Sequence, residues 1–262
     1  MRAAAVQFEP VFGDVEGNAE RVAGLIASVD ADLFVMPELA LSGYLFESRD
    51  EAAGLSQTPG SVVFDRLEEL AREKDATVIL GFAEMAGEGL YNSSILLAPD
   101  GRREVYRKIQ LFNTEKEVFL PGDRPPAVVE VAGVRLGMMI CFDWIFPEVA
   151  RSLALLGADV LCHSANLVLP YCQDAMVTRS IENRVFSITA NRVGTEKRAG
   201  MELTFTGQSE VVTPRGRILE RAGVTGETVL VHEIDPAESR DKQITPRNNI
   251  RDDRRTDLYR LD

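Results

Sequence analysis

Residues 134–148, VRLGMMICFDWIFPE, hold a change of conformation that can be read from residue type alone. Val134 to Ile140 is an almost uninterrupted apolar run of strand length, the pattern of a strand covered on both faces. Pro147 suits the first turn of a helix, because its fixed φ and missing N–H are tolerated there. The helical pattern runs from Pro147 to Leu156, Gly157 stops it, and Ala158 to Cys162 reads as a second buried strand. Downstream, Gln173 to Arg184 is helical and Val185 to Ala190 is a strand. Ser209–Val212 and Arg217–Glu220 flank Pro214-Arg215-Gly216 as a hairpin, and Val229 to Ile234 is a last strand. Upstream the same scheme precedes it. Ala3–Phe8 is a strand, followed by a helix over Asn18–Val29 with Val22, Leu25, Ile26 and Val29 at helical spacing and Asn18 as its N-cap. Asp32–Met36 is a strand ended by Pro37, Val62–Lys74 a helix and Thr77–Ala83 a strand. Tyr91–Ala98 and Arg103–Arg107 form a hairpin around Pro99-Asp100-Gly101. Strand–helix–strand units with added hairpins predict an α/β fold with mixed sheets.

No linker, repeat or low-complexity tract divides the 262 residues, so residues 1–262 are expected to form one domain, with a polar, Arg/Asp-rich tail from Asp235 to Asp262. With 29 Lys+Arg against 41 Asp+Glu the formal net charge is −12. Such a surface repels nucleic acid and anionic membrane, and neither is expected as a partner. No apolar run approaches the ~20 residues that span a bilayer, and MRAAAVQFEP has no secretory signal character. Three cysteines make no disulfide framework, and a reduced, cytoplasmic protein is expected.

Three residues stand where chemistry is favoured. Cys141 sits between a buried strand and a Pro-started helix, where a rigid strand end can hold a nucleophile beside outward-pointing N–H groups. Burial alone is the ordinary explanation of a lone cysteine, but CFDWIFPE also places an Asp, the only Trp and a Glu within seven residues. Glu38 follows DLFVMP, at the C-terminal end of another apolar strand, the edge that carries ligand and catalytic groups in α/β sheets. Lys108 lies among apolar neighbours in YRKIQLF, in a chain with five Lys against twenty-four Arg. A lysine desolvated there can act as electrophile or nucleophile, although a strand lysine more often snorkels. Glu115, seven residues on, adds a second carboxylate. The chain has no P-loop, G-x-G-x-x-G, G-x-S-x-G or zinc spacing, so no nucleotide, metal or other cofactor is expected. A Cys–His pair of Cys141 with His163 is an alternative; His232 reads as a half-exposed strand residue.

Taken together, FVMPELALSGY, YRKIQLF and GMMICFDWIFPEVAR resemble, in order, the glutamate, lysine and cysteine blocks of the nitrilase superfamily of carbon–nitrogen hydrolases. The resemblance runs from AAVQFEP to the strand near Val231, and the wording CFDWIFPE and SANLVLPY is most similar to archaeal-type nitrilases and small aliphatic amidases. Gln110 stands where many relatives have histidine. The resemblance implies a four-layer α-β-β-α sandwich of two mixed sheets. It also implies a homodimer or higher oligomer paired through the helix after Cys141 and the 173–184 helix, with the tail crossing to the partner. It implies further that Glu38, Lys108 and Cys141 form the catalytic set, with Glu115 as an additional glutamate. Residue types then suggest the roles: Cys141 attacks, Glu38 takes and returns the proton, and Lys108 with the Phe142 N–H holds the developing charge. Glu115 orients Lys108 or the substrate, and Tyr44, Phe112, Trp144 and Asn166 line the pocket. A small uncharged amide is the first expectation for the substrate. A nitrile, an N-carbamoyl amine, or a non-catalytic binding protein on the same fold are the alternatives.

Overall fold

From the N-terminus the chain runs through β1 (Arg2–Gln7), α1 (Val15–Ala27), β2 (Leu33–Val35), α2 (Arg49–Gly54), α3 (Val62–Glu73), β3 (Thr77–Ala86), β4 (Gly89–Leu97), β5 (Arg103–Arg107) and α4 (Glu115–Val118). It continues with β6 (Val128–Val131), β7 (Val134–Ile140), a 3₁₀ turn over Cys141–Ile145, α5 (Pro147–Leu155), β8 (Val160–Ala165), α6 (Cys172–Asn183) and β9 (Phe186–Asn191). After these come β10 (Thr195–Arg198), β11 (Met201–Thr204), β12 (Glu210–Val212), β13 (Ile218–Arg221), β14 (Thr228–Glu233) and the short strands β15 (Gln243–Thr245) and β16 (Asn248–Asn249). The computed structural model describes residues 1–198 and 200–260, so the last two residues of the expected tail, Leu261 and Asp262, lie outside the described residues.

Two six-stranded sheets organise the molecule, in the orders β14-β1-β2-β3-β4-β5 and β13-β12-β9-β8-β7-β6. Each is parallel at its centre, through β1, β2 and β3 in one and β7, β8 and β9 in the other, and antiparallel toward both edges. Strand alternation decides which core each side chain joins. Ala3 and Ala5 of β1, Leu33 and Val35 of β2 and Ile79 of β3 share a core with Leu161 and Ile188 of the second sheet. Ala4, Val6, Phe34, Val78 and Leu80 face the other way, onto Val22 and Ile26 of α1 and Phe64 and Leu67 of α3. Helices α5 and α6 cover the outer face of the second sheet. There Gly137 of β7 lets Leu153 approach so closely that a Cβ would lie 3.0 Å from its Cδ2. The layers are therefore α-β-β-α, as the resemblance implied.

Most elements match the sequence reading within a few residues, but the first helix does not begin as expected. Asp14, not Asn18, caps α1, accepting from the Gly17 N–H at 3.0 Å. Asn18 lies inside the helix, where its amide donates to the carbonyls of Val11 (2.7 Å) and Leu41 (2.8 Å). It was recruited as a buried tie to the loop after Glu38, a role that spacing alone does not reveal. The polar C-terminal segment lies over its own body, with contacts continuing past Lys242 to Arg251, which donates to the Leu155 carbonyl at 3.5 Å. Ser239 donates to the Asp159 carbonyl at 2.6 Å, and Lys242 donates to the carbonyls of Asn183 and Arg184.

Gly81 is the tightest backbone approach beside Glu38. A Cβ on this β3 residue would stand 2.5 Å from Glu38 Cα and from Leu39 N, both main-chain atoms that cannot step aside. Gly137 meets only side-chain carbons. Gly81→Ala is expected to cost about 2 kcal/mol or more in chemical denaturation, and Gly137→Ala clearly less. Equal stability losses would contradict this reading.

Candidate active site

Three strand ends bring the chemistry together. Glu38 follows β2 through Met36 and Pro37, Lys108 directly follows β5, and Cys141 directly follows β7. The C-terminal ends of β2 and β5 lie at one edge of the first sheet, because β3, β4 and β5 alternate in direction. The facing sheet supplies Cys141 and, just past the neighbouring β8, Asn166. The backbone of Cys141 has φ of +39°, a left-handed conformation uncommon for a side chain with a Cβ, and it turns the strand into the 3₁₀ turn.

Lys108 is fully buried, and its Nζ donates to Glu38 Oε1 and to Glu115 Oε1, both at 2.7 Å. Asn92 Nδ2 donates to the same Glu38 oxygen at 2.7 Å, and the Tyr44 hydroxyl to the same Glu115 oxygen at 2.6 Å. The Phe112 N–H reaches Glu115 Oε2 at 3.2 Å. One oxygen, Glu38 Oε2, is buried without a protein partner.

Electrostatics follow from this packing. Burial pushes the Glu38 carboxyl up to about 7, against the lowering pull of Lys108 and with a further push from Glu115. For Lys108, burial opposes the charged form, but Glu115 and Glu38 outweigh it and hold the ammonium above the usual lysine range. Burial and then Glu38 lift the Cys141 thiol well above its ordinary range, with Lys108 and the Asn166 N–H pulling the other way. The resting site thus holds a neutral thiol, a protonated lysine and a glutamate that exchanges its proton near neutrality.

Hydrogen bonds join Glu38, Lys108, Glu115 and Tyr44 directly, whereas the rings of Phe112 and Trp144 pack on other aromatic side chains. Tyr44 is a hydrogen-bond donor to Glu115 as well as an apolar wall, and its ring packs edge-on to Phe205 at 5.9 Å. The Phe112 ring tilts against Phe142 at 5.0 Å, and Phe142 against Phe146 at 5.6 Å. Trp144 is buried next to Tyr171, 6.3 Å between ring centroids. The Asn166 side chain is buried with neither amide atom partnered. His163 is not paired with the thiol. Its Nε2 lies 3.0 Å from the Cys141 carbonyl oxygen and so donates to it, while Nδ1 accepts from Thr189 at 3.2 Å. Burial lowers its pKa to about 4, leaving a neutral, structural imidazole.

Sequence reasoning missed three supports. Asn92 was announced only by polar residues within YNSSILLA, a strand otherwise apolar. Glu196, on the β10–β11 hairpin, pairs with buried Arg192 and accepts from the N–H groups of Tyr44 and Leu45. Nothing in its local sequence points to that long-range contact. Asp143 was quoted without a role.

The model of the carbon–nitrogen hydrolase family matches residues 2–243, and the chain belongs to that family. It is 41% identical to a nitrilase of Pyrococcus abyssi, over 99% of each chain. It is 38% identical to an (R)-stereoselective amidase of a Pseudomonas species, over 85% of this chain and 81% of the relative. Among solved structures, the amidase of Nesterenkonia sp. AN1 superposes with a TM-score of 0.82 at 27% identity, covering 98% of both chains. A variant of that amidase carries acrylamide added at its active-site cysteine.

Removing the ammonium from this cluster strips Glu38 of its main lowering influence. In Lys108→Met the folded-state Glu38 pKa moves further above its unfolded value of 4.5. The variant's stability is then fully retained below that unfolded value and falls as pH rises through the folded one. A loss of about 3–5 kcal/mol is expected at pH 8 and a markedly smaller one at pH 5, by urea denaturation at both pH values. A loss independent of pH would refute the ion cluster as the cause.

Proposed function

We propose that the chain hydrolyses a small, uncharged amide to a carboxylic acid and ammonia through a thioester on Cys141. The observation that carries the reading is the buried ammonium of Lys108 held between two carboxylates beside a buried thiol. In this mechanism Glu38 takes the thiol proton as sulfur attacks the carbonyl carbon. Negative charge grows on the carbonyl oxygen, where Lys108 Nζ and the Phe142 N–H receive it. Phe142 is in the first turn of its 3₁₀ segment, where N–H groups have no partner within the turn. Protonated Glu38 then gives its proton to the departing nitrogen, ammonia leaves, and the thioester remains. Water enters, loses a proton to Glu38 and attacks the thioester carbon, and the thiolate leaves and recovers the proton. Glu115, fixed by Tyr44 and the Phe112 N–H, keeps Lys108 in place and balances its charge.

A nitrile is the second reading, favoured by the 41% identity with the Pyrococcus nitrilase. Attack on a nitrile gives a planar thioimidate, whose breakdown needs an additional water and a proton placed on nitrogen. The amide route asks less of the same residues. The comparison that decides is kcat/KM for propionamide against propionitrile. The amide is expected to be preferred, with kcat/KM rising about tenfold per pH unit below pH 7 as Glu38 deprotonates. Mass spectrometry should find the acyl adduct on the Cys141 peptide, and Cys141→Ala should not turn over. A tenfold preference for the nitrile, ~1.4 kcal/mol, would reverse the assignment. An adduct on Cys162 or Cys172 would remove Cys141 from it.

We also propose a homodimer or higher oligomer paired through α5 and α6. Ile145, Leu156, Tyr171 and Ile181 are exposed on or beside these helices, an apolar surface that pairing would cover. Light scattering at micromolar concentration should give at least twice the 28.9 kDa chain mass, and a mass of one chain would overturn the proposal.

A further inference from the structure

Asp143 is a buried carboxylate that the mechanism above does not use. It lies two residues after Cys141, in the 3₁₀ turn. Its Oδ2 accepts from the Ile140 N–H at 2.9 Å and from the Tyr106 hydroxyl at 2.8 Å. Its Oδ1 accepts from the Gln110 N–H at 3.1 Å. The bond to Ile140 is what a turn-capping carboxylate would make. The other two are not local. They cross from the second sheet to the first and grip the chain two residues before and two residues after Lys108.

We propose that Asp143 is a positioning residue that fixes the Lys108 segment against the Cys141 turn, so that the ammonium stands where negative charge grows during attack. One carboxylate reaches both sides of the lysine and the strand end that carries the nucleophile. A shift of either segment relative to the other therefore has to break at least one hydrogen bond to a charged acceptor. Such bonds are worth more than neutral ones. Oxyanion stabilisation is steep in distance, so a small displacement of the ammonium acts on rate before it acts on fold. The inference deepens the proposed function and rests on it.

Asp143→Asn keeps the shape but turns one acceptor into an NH₂ group, setting donor against donor at Gln110 or at Ile140. With propionamide as substrate, kcat is expected to fall about 100-fold while KM stays within about threefold. The distinguishing readout is alkylation of Cys141 by iodoacetamide. In that reaction sulfur displaces iodide at a saturated carbon, the thiol proton goes to Glu38, and no charge builds on a carbonyl oxygen for Lys108 to hold. Its rate is expected to stay within about threefold of wild type. A merely structural Asp143 would lower alkylation and turnover together, and that result, or an undiminished kcat, overturns the inference. Should Asp143→Asn not fold, Tyr106→Phe decides. It leaves the carboxylate in place, removes one of its three donors, and is expected to lower kcat about tenfold with alkylation unchanged. Tyr106→Phe with wild-type turnover overturns the inference. Wild-type protein that hydrolyses no amide sinks the proposed function instead, so the two failures are distinct.

Discussion

A lysine ammonium with no access to water has to be neutralised or surrounded, and the site is built around that requirement. Lys108 meets it with two carboxylates, one arriving from the end of β2 and one from α4. Two carboxylates around one cation leave an excess of negative charge in a closed space. Burial, with a further push from Glu115 and against the pull of Lys108, lifts Glu38 into the range where it can accept and return a proton. The same arrangement keeps the thiol neutral until something draws its proton away. In the mechanism we propose, charge balance at rest and proton transfer in turnover are two aspects of one buried cluster.

Both carboxylates around the lysine are in turn held by residues remote in sequence, Glu38 by Asn92 and Glu115 by Tyr44. Tyr44 is fixed at its hydroxyl by Glu115 and at its N–H by Glu196, which is buried against Arg192. Asn18, inside α1, ties down the carbonyl of Leu41 in the same loop. The segment 39–46 has almost no regular structure, yet it is buried throughout. Its order comes from these polar ties rather than from a ladder, which fits a segment that must hold Glu38 at a fixed distance from the opposite sheet.

Much of this was legible in the sequence, for physical reasons. Buried parallel strands carry apolar runs on both faces, Leu136–Ile140 in β7 and Val160–Cys162 in β8, so their residues announce them. Residues at the ends of such strands, Glu38 and Cys141, are conspicuous because polarity follows directly on an apolar run. The parts that were not legible are those fixed by partners far along the chain. Asn18 resembled a cap because caps and buried ties use the same short amide. The β10–β11 hairpin is polar and alternates weakly, so nothing in its pattern separates it from loop. Asn92 and Asp143 were not legible because their partners are remote in sequence: Glu38 for Asn92, and Tyr106 and Gln110 across the gap between sheets for Asp143.

The pairing of β1 with β14 has a consequence for how the protein is made. Arg2 sits opposite Glu233 and Gln7 opposite Thr228, so β1 has its outer neighbour only once residues 228–233 have been synthesised. Until then the nascent chain carries an apolar strand, AAAV, with one edge open to any other strand in reach. Pairing so distant in sequence closes late and slowly, and the ribosome-bound interval is the time of greatest exposure to aggregation. Loss of residues from β14 onward would make that passing vulnerability permanent while leaving every residue of the Glu38–Lys108–Cys141 cluster in the chain.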